Sequence, residues 1–209
     1  YNSMVGFDCA HAAGNVKLDL HEVGADFAIW CSYKYLNSGP GNLSGCFVHD
    51  RHAYNNDINR FRGWWGNDLK NRFNMREPYQ AMVGAEGWQI STPTILAMAA
   101  IKASLEIFSS AGMEALCKKS NLLTSYLDFL LKELNSTKIT IITPEDVQSR
   151  GCQISLEISD PDKNFHKNLT DLGVITDWRD PNVIRCAPTP LYNSFTDIYM
   201  FVQKLKQLI

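Results

Sequence analysis

Several features are missing from this 209-residue sequence, and each absence removes a class of function. No run approaches the roughly 18 consecutive apolar residues of a membrane span. The start, Tyr1-Asn2-Ser3-Met4-Val5-Gly6-Phe7-Asp8, has no charged segment of signal-peptide type. There is no basic block: 20 Lys and Arg stand against 22 Asp and Glu, a net charge of -2. That balance leaves no electrostatic footprint for nucleic acid and no polybasic membrane anchor. No C-x-x-C pair occurs among Cys9, Cys31, Cys46, Cys117, Cys152 and Cys186. The scatter argues against a zinc site or a disulfide scaffold, and for reduced thiols in a cytoplasmic protein. Internal repeats and low-complexity tracts are lacking. An initiator methionine is lacking too, so the sequence is expected to begin inside a longer protein.

What is present is a globular composition, 45% hydrophobic and 20% charged, which excludes disorder for most of the chain. Met4 to Phe7 is a short apolar run that stops at Asp8. Phe27-Ala28-Ile29-Trp30-Cys31 is a continuous apolar run between polar flanks, the pattern of a strand buried on both faces. It ends at Ser32-Tyr33-Lys34-Tyr35, and the turn cluster Asn37 to Asn42 separates it from a further strand, Cys46 to His49. Residues 50–90 are irregular and aromatic-rich, with two Gly-Trp pairs, Gly63-Trp64 and Gly87-Trp88. A segment of that length without regular structure is expected to form a lid, a site wall or an interface.

Thr92-Pro93 has the form of a helix start, a hydroxyl cap with proline in the first turn. Met98, Ile101, Leu105 and Phe108 follow at helical spacing, and Gly112 interrupts. A leucine stripe from Leu116 to Leu134 marks a second helix. Strands are expected at Ile139 to Ile142, Gln153 to Ile158, Val174 to Thr176 and Val183 to Cys186, with a short helix from Phe165 to Leu172 closed by Gly173. Ser194-Phe195-Thr196-Asp197 is a capping-box pattern before a last helix, Ile198 to Leu208. The order gives an α/β chain with two parts: 1–105 and, after a boundary in the helical region, an α+β part over 106–209.

Asp8 lies at the end of one expected strand and Lys34 just beyond the next. Neighbouring parallel strands would bring those ends together, where open α/β sheets place their sites. An aspartate and a lysine converging there suit pyridoxal 5'-phosphate (PLP). The amine would form the Schiff base, and the carboxylate would keep the pyridine nitrogen protonated, so that the ring acts as an electron sink. Spacing alone does not separate this pair from two ordinary surface charges.

The residue strings do. Gly6-Phe7-Asp8-Cys9-Ala10-His11-Ala12-Ala13-Gly14-Asn15 resembles the D-x-A-H segment of kynureninases, and Ser32-Tyr33-Lys34-Tyr35-Leu36-Asn37 their Schiff-base segment. Arg62-Gly63-Trp64-Trp65-Gly66, Ile90-Ser91-Thr92-Pro93 and Arg185-Cys186-Ala187-Pro188-Thr189-Pro190-Leu191-Tyr192-Asn193-Ser194 are also similar, in the family's order. The resemblance implies fold type I of the PLP-dependent transferases. Residues 1–105 would be the C-terminal part of the PLP-binding large domain, and residues 106–209 the small C-terminal domain. It implies hydrolysis of kynurenine or 3-hydroxykynurenine to an anthranilate and alanine, in tryptophan catabolism and NAD biosynthesis. It also implies a cytoplasmic homodimer with shared active sites.

Carried onto matching positions, Lys34 bears the cofactor and Asp8 binds its pyridine nitrogen. His11 lies in the cofactor shell, and Tyr33 meets the phosphate and assists proton transfer. Trp64 and Thr92 contact the phosphate from the partner subunit, and Arg185 holds the substrate carboxylate. Some family members carry Asn where this chain has Thr92. Trp65, Trp88, His49, His52 and His166 read as packing or ordinary residues. The resemblance covers only the family's C-terminal half, so the chain by itself is expected to fold poorly or bind PLP weakly. Two other readings stay open at this point: another PLP enzyme of the class V aminotransferase and cysteine desulfurase group, and a non-catalytic truncated product.

Overall fold

The computed structural model describes residues 3–74 and 78–209. Tyr1 and Asn2, and residues 75–77 of the irregular aromatic segment, lie outside the described residues. The chain divides into two compact units, Tyr1–Ser110 and Ala111–Ile209.

The first unit is built on a three-stranded sheet, β1 (Gly6–Asp8), β2 (Phe27–Cys31) and β3 (Ser44–Val48), in that order. β1 runs parallel to β2, with Asp8 paired to Ile29, whereas β3 is antiparallel to β2. Two rings lie over glycines on neighbouring strands. Phe27 covers Gly6, where an added Cβ would fall 2.1 Å from the ring, and Trp30 covers Gly45 on the other face, at 2.4 Å. β2 is not buried on both faces. Ala28 is fully buried, but Phe27 is 45% and Ile29 53% exposed. Burial alternates over Phe27, Ala28 and Ile29, and Trp30 and Cys31 are both half-buried.

Residues 50–90 hold two short 3-10 turns, Asp50–His52 and Gly84–Trp88, and an isolated bridge between Asn67 and Ala81. The long helix α1 (Ile95–Ala111) begins later than Thr92-Pro93 suggests. The Thr94 carbonyl accepts the first intrahelical bond, from Met98 N–H at 3.1 Å. Thr94 is therefore the cap residue, and Thr92 precedes the helix. The extended backbone that proline favours at the residue before it would suit a cap at Thr92 as well, so the start is fixed by the first bond at Thr94.

Gly112, with φ +77°, separates α1 from α2 (Met113–Glu133) in the second unit. There β4 (Ile139–Ile141), β5 (Ile154–Ile158), β6 (Asp177–Arg179) and β7 (Val183–Cys186) form an antiparallel sheet of order β4-β5-β7-β6. Helices α3 (Phe165–Asp171) and α4 (Phe195–Leu205) complete the unit. Its core joins Leu123, Leu127 and Leu131 of α2 to Ile154, Leu156 and Ile158 of β5, with Ile184, Phe201, Val202 and Leu205. Each such side chain contributes about 1.5–3 kcal/mol relative to exposure.

β5 alternates strictly, with Ser155 and Glu157 turned away from that core. The sixth strand is not Val174 to Thr176. Val174 N–H bonds the Leu169 carbonyl at 3.1 Å and so closes α3, and Ile175 is 91% exposed. Pairing with β7 starts only at Asp177. The last helix starts at Phe195 rather than Ile198, because Ser194 is its cap. The Ser194 hydroxyl accepts from Asp197 N–H, and the Asp197 carboxylate from Ser194 N–H.

Candidate active site

The parallel pairing of β1 and β2 brings the segments that carry Asp8 and Lys34 to the same end of the sheet. The ladder continues one residue past Asp8, through Cys9 N–H to the Ile29 carbonyl at 2.7 Å. The chain then turns over its own aspartate: Asp8 Oδ1 accepts the Ala10 N–H at 2.9 Å, an Asx turn. Its second oxygen has no hydrogen-bond partner among the described residues. His11 is exposed in the coil that follows. Its carbonyl accepts from Asn15 Nδ2 at 3.0 Å, and its ring meets Tyr35 edge-on, 5.9 Å between centroids.

The turn that carries Tyr33 and Lys34 is clamped at its base. Ser32 and Ser38, 0% and 2% exposed, are joined through their hydroxyls at 2.7 Å. The Ser32 hydroxyl donates onward to the Leu43 carbonyl, and Ser38 N–H returns to the Ser32 carbonyl at 3.1 Å. Within the turn, Asn37 N–H bonds the Lys34 carbonyl at 3.0 Å, with Asn37 in the left-handed region at φ 54°. Asparagine tolerates that conformation far better than most residues.

Leu36 points into the unit's interior, and its carbonyl accepts from Ser104 Oγ on α1. Asn42 Nδ2 ties the Ser38 and Ala97 carbonyls together, at 2.7 and 2.8 Å. These bonds fix the base of the turn. Tyr33 is half exposed and Lys34 half-buried, and neither side chain has a hydrogen-bond or ion-pair partner among the described residues.

Trp64 and Thr92 belong to a second cluster in the same unit. The segments carrying them pack backbone to backbone: a Cβ on Gly63 would fall 2.0 Å from the Ile90 carbonyl oxygen, and one on Gly66 2.6 Å from that of Gln89. Trp64 packs edge-on against Trp65, with 5.2 Å between centroids. The buried Arg72 guanidinium stacks on both indoles, 5.7 Å from Trp64 and 4.4 Å from Trp65, and donates to the Trp65 carbonyl. Thr92 is exposed. No hydrogen bond among the described residues links Trp64 or Thr92 to Asp8, Tyr33 or Lys34.

Arg185 lies on β7 of the second unit, directly opposite Asp177 of β6. Its Nε bonds Asp177 Oδ2 at 2.5 Å, and its Nη2 contacts the same oxygen. Arg179 Nε reaches that oxygen at 3.0 Å. Partial burial pushes the Asp177 carboxyl up, but the two guanidinium groups outweigh it and hold it below the usual carboxylate range. Cys186, next in the chain, is inert by contrast. It is buried in the core, where desolvation pushes its thiol up to about 12.

Sequence reasoning passed over Ser32, Ser38 and Asn42, which hold the lysine turn, and also Arg72 and Asp177. Serine and asparagine beside glycine read as turn composition, and nothing in the pattern marks which hydroxyls are buried.

The fold defines a class first. Over 99% of its length the chain superposes on an apo cysteine desulfurase from Thermococcus onnurineus, with a TM-score of 0.75 at 16% identity, and covers 52% of that chain. It likewise covers 50% of a mutant of the cystine C–S lyase C-DES that has glycine covalently linked to the PLP cofactor, with a TM-score of 0.70 at 18% identity. The architecture is that of the fold type I PLP-dependent enzymes of the desulfurase and class V aminotransferase group.

Within that class, residues 116–205 match the kynureninase C-terminal domain. The chain is 55% identical over 202 residues to a kynureninase from Myxococcus xanthus, and 50% identical over 201 residues to one from Koribacter versatilis. Those alignments take in 97% and 96% of this chain but 47% of either relative, so the chain spans about half the length of the curated relatives it matches. Along nearly its whole length it is similar to the C-terminal half of those kynureninases.

Proposed function

We propose that this chain is the C-terminal half of a kynureninase subunit. In this reading residues 1–105 are the back of the PLP-binding large domain and residues 106–209 the small domain. The reaction is hydrolysis of the Cβ–Cγ bond of L-kynurenine or 3-hydroxy-L-kynurenine, giving anthranilate or 3-hydroxyanthranilate and L-alanine. Its physiological setting would be tryptophan catabolism and NAD biosynthesis in the cytoplasm. The observation that carries the reading is the parallel β1–β2 pair, with Asp8 and the Lys34 turn at one end of it. Kynureninase relatives at 48–55% identity favour it over desulfurase chemistry, whose representatives share the fold at 13–16% identity.

The donor set fits PLP. An acidic ring N–H needs a carboxylate oxygen with no other partner, which Asp8 Oδ2 offers, and an aldehyde carbon needs an uncommitted amine, which Lys34 offers. When bound, PLP supplies an electron sink for negative charge developing at the substrate α-carbon. Asp8 would hold the proton on the ring nitrogen, since an anion beside a protonated nitrogen favours the charged form. Lys34 would hold the cofactor through Nζ and, once released by substrate, take the proton from the substrate α-carbon. The clamped turn keeps Nζ at one end of the sheet while leaving the side chain itself unbonded.

Tyr33 would hydrogen-bond the cofactor phosphate and move a proton through its phenol oxygen, and the His11 ring would line the cofactor shell. Trp64 and Thr92 would reach the phosphate of the partner subunit in a homodimer. Arg185 would bind the substrate α-carboxylate, which a planar guanidinium matches with two parallel donors.

The test is borohydride trapping of PLP in the complete polypeptide, followed by peptide mapping, with turnover assayed on kynurenine and on cysteine. Label on Lys34 and turnover of kynurenine alone are expected. An unlabelled Lys34, or turnover of cysteine instead, refutes the reading. Mixing Lys34→Ala with Trp64→Ala subunits tests the shared site, since one of the two sites in a mixed dimer would then be intact. Recovery of activity is expected.

A further inference from the structure

The outward face of the second unit's sheet carries a three-charge cluster on β6 and β7. Asp177 Oδ2 is the common acceptor for Arg185 Nε, Arg185 Nη2 and Arg179 Nε. Two guanidinium groups against one carboxylate leave a surplus of one positive charge, the complement of a single carboxylate.

The side of Arg185 that Asp177 occupies matters more than the charge. A guanidinium has five N–H donors in a fixed plane. Asp177 takes the Nε–Nη2 side, and no hydrogen bond among the described residues uses Nη1 of Arg185. The terminal Nη1/Nη2 edge therefore remains available, and two parallel N–H groups on one edge form the fork that matches a carboxylate. An unrestrained arginine would lose side-chain freedom each time it bound an anion. Arg185 has given up that freedom already, in a strand pair whose register places Asp177 directly opposite.

We propose that Asp177 is the positioning residue of the substrate-carboxylate site, fixing Arg185 by its Nε side so that its terminal edge faces an incoming α-carboxylate. The proposal rests on the reading of Arg185 as the carboxylate-binding residue. Asp177 itself does not touch substrate.

The test is steady-state kinetics of the complete enzyme on L-kynurenine, comparing Asp177→Asn, Asp177→Ala and Asp177→Glu with Arg185→Ala. Loss of one pre-organised charge-assisted contact should raise KM about tenfold in the Asn and Ala variants, with a far smaller change in kcat. Asp177→Glu should recover part of the loss. Inhibition by the decarboxylated amine of the substrate, which has nothing for Arg185 to bind, should be the same in all four variants as in the unmodified enzyme.

A KM unchanged in Asp177→Asn and Asp177→Ala while Arg185→Ala raises it overturns the proposal alone. A parallel fall in kcat, or equal weakening of the amine inhibitor, means a general structural role and overturns it too. If Arg185→Ala leaves KM unchanged, the carboxylate reading falls first and the proposal falls with it. Thermal midpoints within a degree or two of the unmodified enzyme identify variants that are folded well enough to compare.

Discussion

Substitution of the two buried serines under the lysine turn gives an ordered set of effects. Ser32 Oγ makes two bonds, donating to the Leu43 carbonyl and accepting from Ser38 Oγ at 2.7 Å, whereas Ser38 Oγ makes only the second. Ser32→Ala therefore strands both a carbonyl and a hydroxyl. With about 1–3 kcal/mol for each buried polar group left unpaired, the expected loss is about 2–6 kcal/mol. Ser38→Ala leaves Ser32 still bonded to Leu43 and should cost about 1 kcal/mol, the net worth of one ordinary hydrogen bond. In the double variant the Ser38 hydroxyl is no longer present to be stranded. The loss in the double variant, about 1–3 kcal/mol for the Leu43 carbonyl alone, should therefore fall short of the sum of the singles by about 2–4 kcal/mol.

The assay is urea unfolding of the complete polypeptide followed by tryptophan fluorescence, with the rate of borohydride trapping at Lys34 measured beside it. Trapping should slow in the same order, because these hydroxyls fix the base of the turn that carries Lys34. Equal losses from the two single substitutions, or strict additivity in the double, would show that the two hydroxyls do not act as a relay.

Three further outcomes follow from packing and charge. Gly63→Ala would drive a Cβ to 2.0 Å from the Ile90 carbonyl oxygen, so a loss of about 1–3 kcal/mol from overpacking is expected by thermal unfolding; a neutral substitution would mean the two Gly-Trp segments are not in backbone contact. Leu156→Ala removes a fully buried side chain from the second unit's core and should cost about 2–5 kcal/mol by denaturant titration, with a loss below about 1 kcal/mol counting against the assigned core. Asp26 accepts from His52, the Val5 N–H and Arg51, and against a smaller opposing effect of burial these lower its pKa from 3.8 to about 2. The folded state thus binds this proton less readily than the unfolded state. The stabilisation is present above the unfolded value and is lost as pH falls through about 2. Asp26→Asn should make the acid limb of a stability-against-pH curve shallower, and an unchanged limb would refute the assignment.

Sequence reading reached the fold where one local signal decided the outcome. β2 runs from Phe27 to Cys31 as its apolar run suggests, Gly112 breaks the helical region, and the Ser194–Asp197 capping box forms with both reciprocal bonds. It failed where two signals competed. Thr92-Pro93 has the form of a helix start, yet the first intrahelical bond is accepted by Thr94, two residues on. Val174-Ile175-Thr176 has a strand's composition, but the turn at Gly173 ties Val174 back to α3, and the pairing partner on β7 lies opposite the next three residues.

The candidate site shows the same division. The chain shows Asp8 and Lys34 at the ends of strands, and only the resemblance of the surrounding residue strings sets them apart from ordinary surface charges. The partners that fix them were not: a buried Ser32 and an exposed serine look alike until the fold encloses one of them. Arg185 was legible as a charge, but Asp177 was not legible as its partner, because only strand register places them opposite each other.

The ring of Phe27 over Gly6 has a consequence at some distance from either residue. Slipping β1 by one residue along β2 would move Asp8 by about 3.3 Å and turn its side chain to the opposite face. The aspartate would then no longer share a face with the position it occupies opposite Ile29. A slipped β1 would put Phe7 or Val5, rather than Gly6, beneath the Phe27 ring, and neither leaves room for it. Gly6 therefore acts as an indexing notch. It contacts neither Asp8's free oxygen nor Lys34, yet the one alignment it permits sets the spacing between them.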